Sequence, residues 1–166
     1  MLNLVPSIVA LGFAALAAIV LVKRRVSPSG RLSERHAAAR ALGVAVAVQS
    51  VHFAEEAATG FHERLGAVFG LPGMQFSFFV AFNLMWLGIW VVSVPGVRSA
   101  RAAAFFAAWF LAIAGMLNGV AHPLLAVAAG GYFPGLVSSP FIAVASVWLW
   151  LRLSAATLPI RALEVG

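Results

Sequence analysis

His52, Glu55 and Glu56 stand three and four residues apart near the end of an apolar run, in a chain of 166 residues with 5 acidic ones. On a helix such residues share one face, with Cβ atoms about 5–6 Å apart. Asn118 and His122 repeat the four-residue spacing farther along. Together the two groups offer imidazoles, carboxylates and an amide, a donor set suited to Zn²⁺, Fe²⁺ or Mn²⁺. In the metal form of this chemistry, His52, Glu55 and His122 hold the ion. Glu56 is then the proton acceptor, with Asn118 beside it, and the reaction is hydrolysis. In a metal-free form, burial raises a carboxyl pKa next to a histidine and gives acid and base groups for isomerisation. Helix-borne Glu and His ligands build carboxylate-bridged metal sites in other bundles, usually as Glu-x-x-His rather than the His-x-x-Glu found here.

The elements that must position these groups are apolar helices. Hydrophobic residues make up 63% of the chain and charged residues 10%, and several apolar runs approach the roughly 20 residues that span a bilayer. The expected fold is therefore all-α: one polytopic membrane helix bundle over residues 1–166, with about five spans. No polar linker divides it and no internal repeat appears. Without cysteine, disulfides and thiolate metal sites are excluded. The net charge of +6 comes from basic residues between and beyond the spans, where it reports topology rather than nucleic-acid binding.

The first span, about Leu4 to Val22, precedes Lys23, Arg24 and Arg25, with Arg31, Arg35 and Arg40 close behind; this loop is expected to be cytoplasmic. The second span runs outward from about Ala38 to Ala58. The third, about Met74 to Val94, returns to Arg98 and Arg101. The fourth, Ala102 to His122, stops before Pro123, and the uncharged stretch Leu124 to Leu136 is re-entrant or interfacial. Ser139 as N-cap and Pro140 open a fifth span that ends near Leu153, with Arg152 and Arg161 inside and Trp90, Trp148 and Trp150 in an inner aromatic belt. The N-terminus is thus expected outside and the C-terminus inside. In this topology His52, Glu55, Glu56, Asn118 and His122 meet in one chamber near the extracytoplasmic leaflet, under the loop Tyr132 to Gly135. A separation above about 12 Å between the two groups would exclude a shared ion with bonds near 2 Å.

Plainer roles compete. Glu55 or Glu56 could reach interfacial water, His52 could fill a core hydrogen bond, and His122 could end its helix. Gln49 and Asn83 read as interhelical polar contacts, with Asn83 a secondary site candidate near mid-membrane. Tyr132, also secondary, suits a headgroup-level anchor. His62, Glu63, Arg64 and His36 read as solvated.

Three segments carry a resemblance: His52-Phe53-Ala54-Glu55-Glu56, Asn118-Gly119-Val120-Ala121-His122 and Tyr132-Phe133-Pro134-Gly135. In order, they are similar to the HxxEE, NxxxH and YxPG signatures of the HXXEE-domain family of bacterial integral membrane proteins, over about residues 38–155. Residues 4–22 would be an additional N-terminal span. The resemblance implies a multi-pass protein of the bacterial inner membrane and leaves activity open. From the residues, the leading expectation is an intramembrane enzyme acting on a lipophilic small molecule or lipid. Ion- or proton-coupled transport and an accessory membrane subunit are the alternatives.

Overall fold

The computed structural model describes residues 5–160, which form six α-helices and one short strand pair. They are α1 (Val5–Arg24), α2 (Leu32–Thr59), α3 (Phe61–Val68), α4 (Phe76–Arg98), α5 (Ala102–Ala128) and α6 (Ser139–Ala156). Helices α2, α4, α5 and α6 are each long and apolar enough to cross a membrane. Helix α1, at 20 residues, covers the first expected span; Leu4 and Arg161 lie outside the described residues.

Direction follows from contacts at one end. Strand β1 (Arg25–Val26), after α1, pairs antiparallel with β2 (Leu158–Pro159), after α6. Arg25 donates to the Ser154 and Thr157 carbonyls, and Arg31 to that of Ala155, so guanidinium groups satisfy the orphan carbonyls that end α6. Arg35, near the start of α2, donates to the Arg98 carbonyl at the end of α4. The end of α1, the start of α2, the end of α4, the start of α5 and the end of α6 therefore share one basic end. His52, Glu56 and His122 lie toward the other, where Arg64 is the one described cation.

Small residues set the closest packing. Gly115 and Gly119 sit one turn apart on α5 and face α6 so tightly that added Cβ atoms would overlap Ser146 and Ala143. Small residues at this spacing let membrane helices approach backbone to backbone.

Several boundaries differ from expectation. Helix α5 passes through Pro123 and ends only at Ala128, before Gly130 with φ +70°. Proline costs one helical hydrogen bond, which helices in apolar surroundings tolerate when neighbours resatisfy the backbone. Only residues 129–138 are then left to loop over the site. Likewise α4 continues through Pro95 to Arg98. Ser138, not Ser139, takes the cap position of α6. Trp90 is no belt residue: it is buried and donates its indole N–H to the Ala107 carbonyl. His62 is not solvated but lies in α3, its side chain 15% exposed and packed against Phe76 and Phe79.

If the α5–α6 contact limits stability, Gly119→Ala will lower it by about 1–3 kcal/mol through overpacking, although alanine is the better helix former. Gly88→Ala on α4, where a Cβ meets open space, will be neutral or stabilising. Thermal unfolding of the detergent-solubilised variants by circular dichroism decides between the two signs.

Candidate metal centre

Helix α2 buries Leu42, Ala45, Val46, Gln49, His52 and Glu56 along one stripe, the three- and four-residue spacing of a helix face turned into a bundle. The same rotation leaves Glu55 half-buried, aimed toward α6 and the loop before it. On α5, Asn118 and His122 follow the stripe of Leu111 and Gly115. The two helix ends meet: His52 and His122 rings cross edge to face with centroids 4.8 Å apart.

Glu56 stands between them. Its Oε1 lies 3.6 Å from His52 Nε2 and 3.4 Å from His122 Nε2. One ligand atom from each of the three residues falls within 4.8 Å of the others, and all three residues are buried. A tetrahedral ion with bonds of about 2.0–2.1 Å has ligand atoms about 3.3–3.4 Å apart, close to the two Glu56 separations.

The hydrogen bonds on the far side of each ring decide where the protons are. His122 Nδ1 is 2.6 Å from the Pro134 carbonyl, a pure acceptor, so Nδ1 carries the hydrogen and, in the neutral ring, Nε2 presents its lone pair. His52 Nδ1 is 2.7 Å from the Ser138 hydroxyl, and that hydroxyl donates to Glu55 Oε2 through a short contact. Ser138 can then only accept from His52, which again puts the hydrogen on Nδ1 and the lone pair on Nε2. In their neutral forms, both imidazoles thus turn an Nε2 lone pair toward the Glu56 carboxyl oxygen. Backing of each ligand's remote N–H by a carbonyl or carboxylate network is the usual support of metal-binding histidines. Asn118 lies beside the opening, its amide nitrogen 3.3 Å from His52 Nε2.

The loop does most of the supporting. Tyr132 donates its hydroxyl to Glu55 Oε1 at 2.7 Å. The Val137 and Ser138 N–H groups donate to the same carboxylate at 3.1 and 2.8 Å, which places Glu55 at the positive N-terminal end of α6. Gly135, with φ +85°, turns the chain so closely over the site that a Cβ there would overlap both imidazoles. Phe133 and Phe61 pack against the His122 ring.

The geometry exchanges the places expected for the two glutamates: Glu56 faces both histidines, while Glu55 is saturated by the loop. Asn118, His52, His122 and Tyr132 are brought together with them. Among the described residues Asn83 makes no interhelical hydrogen bond; it donates to the Phe79 carbonyl of its own helix. Ser138 and Phe61 were not singled out from sequence. The Ser138-Ser139-Pro140 start of α6 carries the available signal for Ser138, since either serine can cap a helix that opens with proline.

Glu56, His122 and Asn118 open onto a cavity of about 540 Å³, within the range of small-molecule sites. Its walls are apolar and aromatic, including Phe78, Phe82, Trp86 and Phe110, with Ala10 and Leu11 of α1 on one side. Helix α4 packs on α2 and α5, and α1 on α5, but α1 and α4 share no extended packing. The cavity therefore has a thin wall between those two helices.

Fold and site define an all-α bundle of membrane-crossing length with a buried His-Glu-His group near one end. Against known protein families, curated proteins and solved structures, the chain has no match.

Two outcomes follow. Tyr132 is the one tyrosine of the chain, and burial, then its bond to Glu55, raises its pKa above the ordinary 10.0. The contact is then intact below pH 10 and lost as pH rises through the raised value. An ultraviolet phenolate titration will show one transition above pH 10, and Glu55→Gln will move it down. Second, Ser138→Ala removes the acceptor of His52 Nδ1–H. Nitrogen-15 NMR will show His52 leaving the pure Nδ1–H form, with a stability loss of about 1–3 kcal/mol from the unsatisfied buried group.

Proposed function

We propose that this protein is an intramembrane metal-dependent hydrolase acting on an uncharged lipophilic substrate. The observation that carries the reading is the convergence of His52 Nε2, His122 Nε2 and one Glu56 oxygen, with both remote ring N–H groups already engaged. His52, Glu56 and His122 hold a divalent ion, with Zn²⁺, Fe²⁺ and Mn²⁺ the candidates. What such an ion supplies is water activation near neutral pH and polarisation of a carbonyl.

This chain's own residues do the rest. Glu56 would hold the ion through one oxygen and keep the other, which has no partner among the described residues, to take up a proton. Asn118 flanks the open side and donates its amide N–H to charge developing on the substrate oxygen. Glu55 acts through Ser138 to fix the His52 ring. His52, Glu56 and His122 would supply three ligands, the number that protein side chains give a catalytic zinc, and Glu56 and His122 line the cavity. A through-membrane ion path has less support, because the cavity floor inward of Gln49 and Asn83 is Trp86, Trp90 and Phe110.

The membrane reading extends the same way. Five spans with the N-terminus out and the basic end in the cytoplasm would put the site near the outer leaflet of a bacterial inner membrane. Membership of the HXXEE-domain family is proposed on the three motifs, and the meeting of His52, Glu55, Glu56, Asn118, His122, Tyr132, Pro134 and Gly135 in one place supports it.

Elemental analysis of detergent-purified, monodisperse protein tests the metal. The wild type will carry a divalent ion near one per chain. His52→Ala, His122→Ala and Glu56→Gln will lose it, whereas Glu55→Gln will keep it with affinity lowered about 10–100-fold, as for other outer-shell partners. Wild type that stays metal-free after incubation with all three ions would sink the proposal in favour of metal-free acid–base chemistry.

A further inference from the structure

Gln49 and Asn83 form a second polar point inside the same cavity. Measured from the Arg35 contact with the Arg98 carbonyl, at about 1.5 Å per residue, they stand about 21 and 23 Å along α2 and α4. The Phe53–Phe79 ring pair, centroids 5.5 Å apart, sets the same register. The two amides therefore lie at one depth on neighbouring helices, and both line the cavity.

Neither amide is fully paired within the protein, and Asn83 is only half-buried. Gln49 is 7% exposed and makes no hydrogen bond among the described residues. Asn83 uses one amide hydrogen on Phe79 and has no partner for its oxygen. Buried polar groups are normally paired, and in apolar surroundings an unpaired amide is costly. Neither amide bridges α2 to α4, so interhelical bonding does not account for them. Each offers both donor and acceptor, a match for a hydroxyl or a carbonyl, and no ionisable side chain lines the cavity at that depth.

We propose that the chamber selects an uncharged lipid with two polar groups: the reacting one at His52, Glu56 and His122, and a hydroxyl or carbonyl between Gln49 and Asn83. Gln49 precedes His52 by three residues and Glu56 by seven, so the two points are about 5–10 Å apart. A hydrocarbon chain with bonds near 1.5 Å advances about 1.3 Å per bond, so the second group falls about four to eight bonds from the first. The rest of the chain lies against Trp86, Trp90 and Phe110, and the thin wall between α1 and α4 is its route from the bilayer. This deepens the hydrolase reading and rests on it for the placing of the reacting group.

The test uses alcohols, whose binding needs no metal. Full-length protein in detergent is titrated calorimetrically with 1-dodecanol and with dodecane-1,n-diols across the positions n. Diols hydroxylated at carbons 5 to 9 will bind about tenfold tighter than 1-dodecanol, the 1.4 kcal/mol of a good hydrogen bond. The 1,2- and 1,12-diols will gain less than threefold. The gain will vanish in Gln49→Leu and in Asn83→Leu; should Gln49→Leu fail to elute monodisperse, Gln49→Met carries the test. Equal affinity at all positions, or a preference kept in both apolar variants, overturns the proposal. Failure of the metal reading is separate: it leaves elemental analysis blank with the diol preference in place, whereas failure here leaves the ion bound and the preference absent.

Discussion

The arrangement depends on one carboxylate that does not itself face the cavity. Glu55 collects donors from the Tyr132 hydroxyl, the Val137 and Ser138 N–H groups and the Ser138 hydroxyl. That set ties α2 to the start of α6 and draws the connecting loop over the bundle end. Because Ser138 gives its hydrogen to Glu55, it accepts from His52; because the loop is drawn inward, the Pro134 carbonyl meets His122. One anion thereby sets the proton positions of two histidines on different helices. It can do so because a carboxylate has several acceptor sites and sits at a helix N-terminus, where its charge is favoured.

Charge balance favours the same reading. Glu55 and Glu56 bring two carboxyl groups to one end of an apolar bundle, and Arg64, exposed there, bonds the Tyr132 carbonyl rather than either of them. Buried charge is tolerated when it is paired or bound to metal. A divalent ion held by His52, Glu56 and His122, as proposed, would meet three lone pairs at once, whereas a single proton satisfies only one pair. An uncharged ligand is also the kind that the aromatic walls and the amides of Gln49 and Asn83 would accept.

Much of this was legible in the residues. The run lengths and basic clusters located the long helices, since hydrophobic span length and arginine placement are physical requirements that act locally. The pairing of His52 with His122 followed from matching depths on two helices. Which glutamate faces which partner was not legible: Glu55 and Glu56 are adjacent, and a rotation of one residue, about 100° on a helix, decides it through packing of the whole stripe from Leu42 to Glu56. The continuation of α5 through Pro123 was hidden for a related reason. Local propensity argues for a stop there, and only tertiary contact resatisfies the backbone. Ser138 escaped because its role is set by Glu55, 83 residues away.

The small clasp of β1 and β2 has a mechanical consequence. It fastens the last turn of α1 to the segment after α6, and Arg25 adds bonds to the same place. Helix α1 is thus anchored at its basic end, while its extended packing among the described residues is with α5. Any widening of the gap toward α4 is a swing about that pivot, and its amplitude grows with distance from the clasp. For a helix of 20 residues, about 30 Å long, a tilt of about ten degrees displaces the far end by about 5 Å. That is roughly the width of one hydrocarbon chain, opened at the level of the histidines while the arginine layer stays shut.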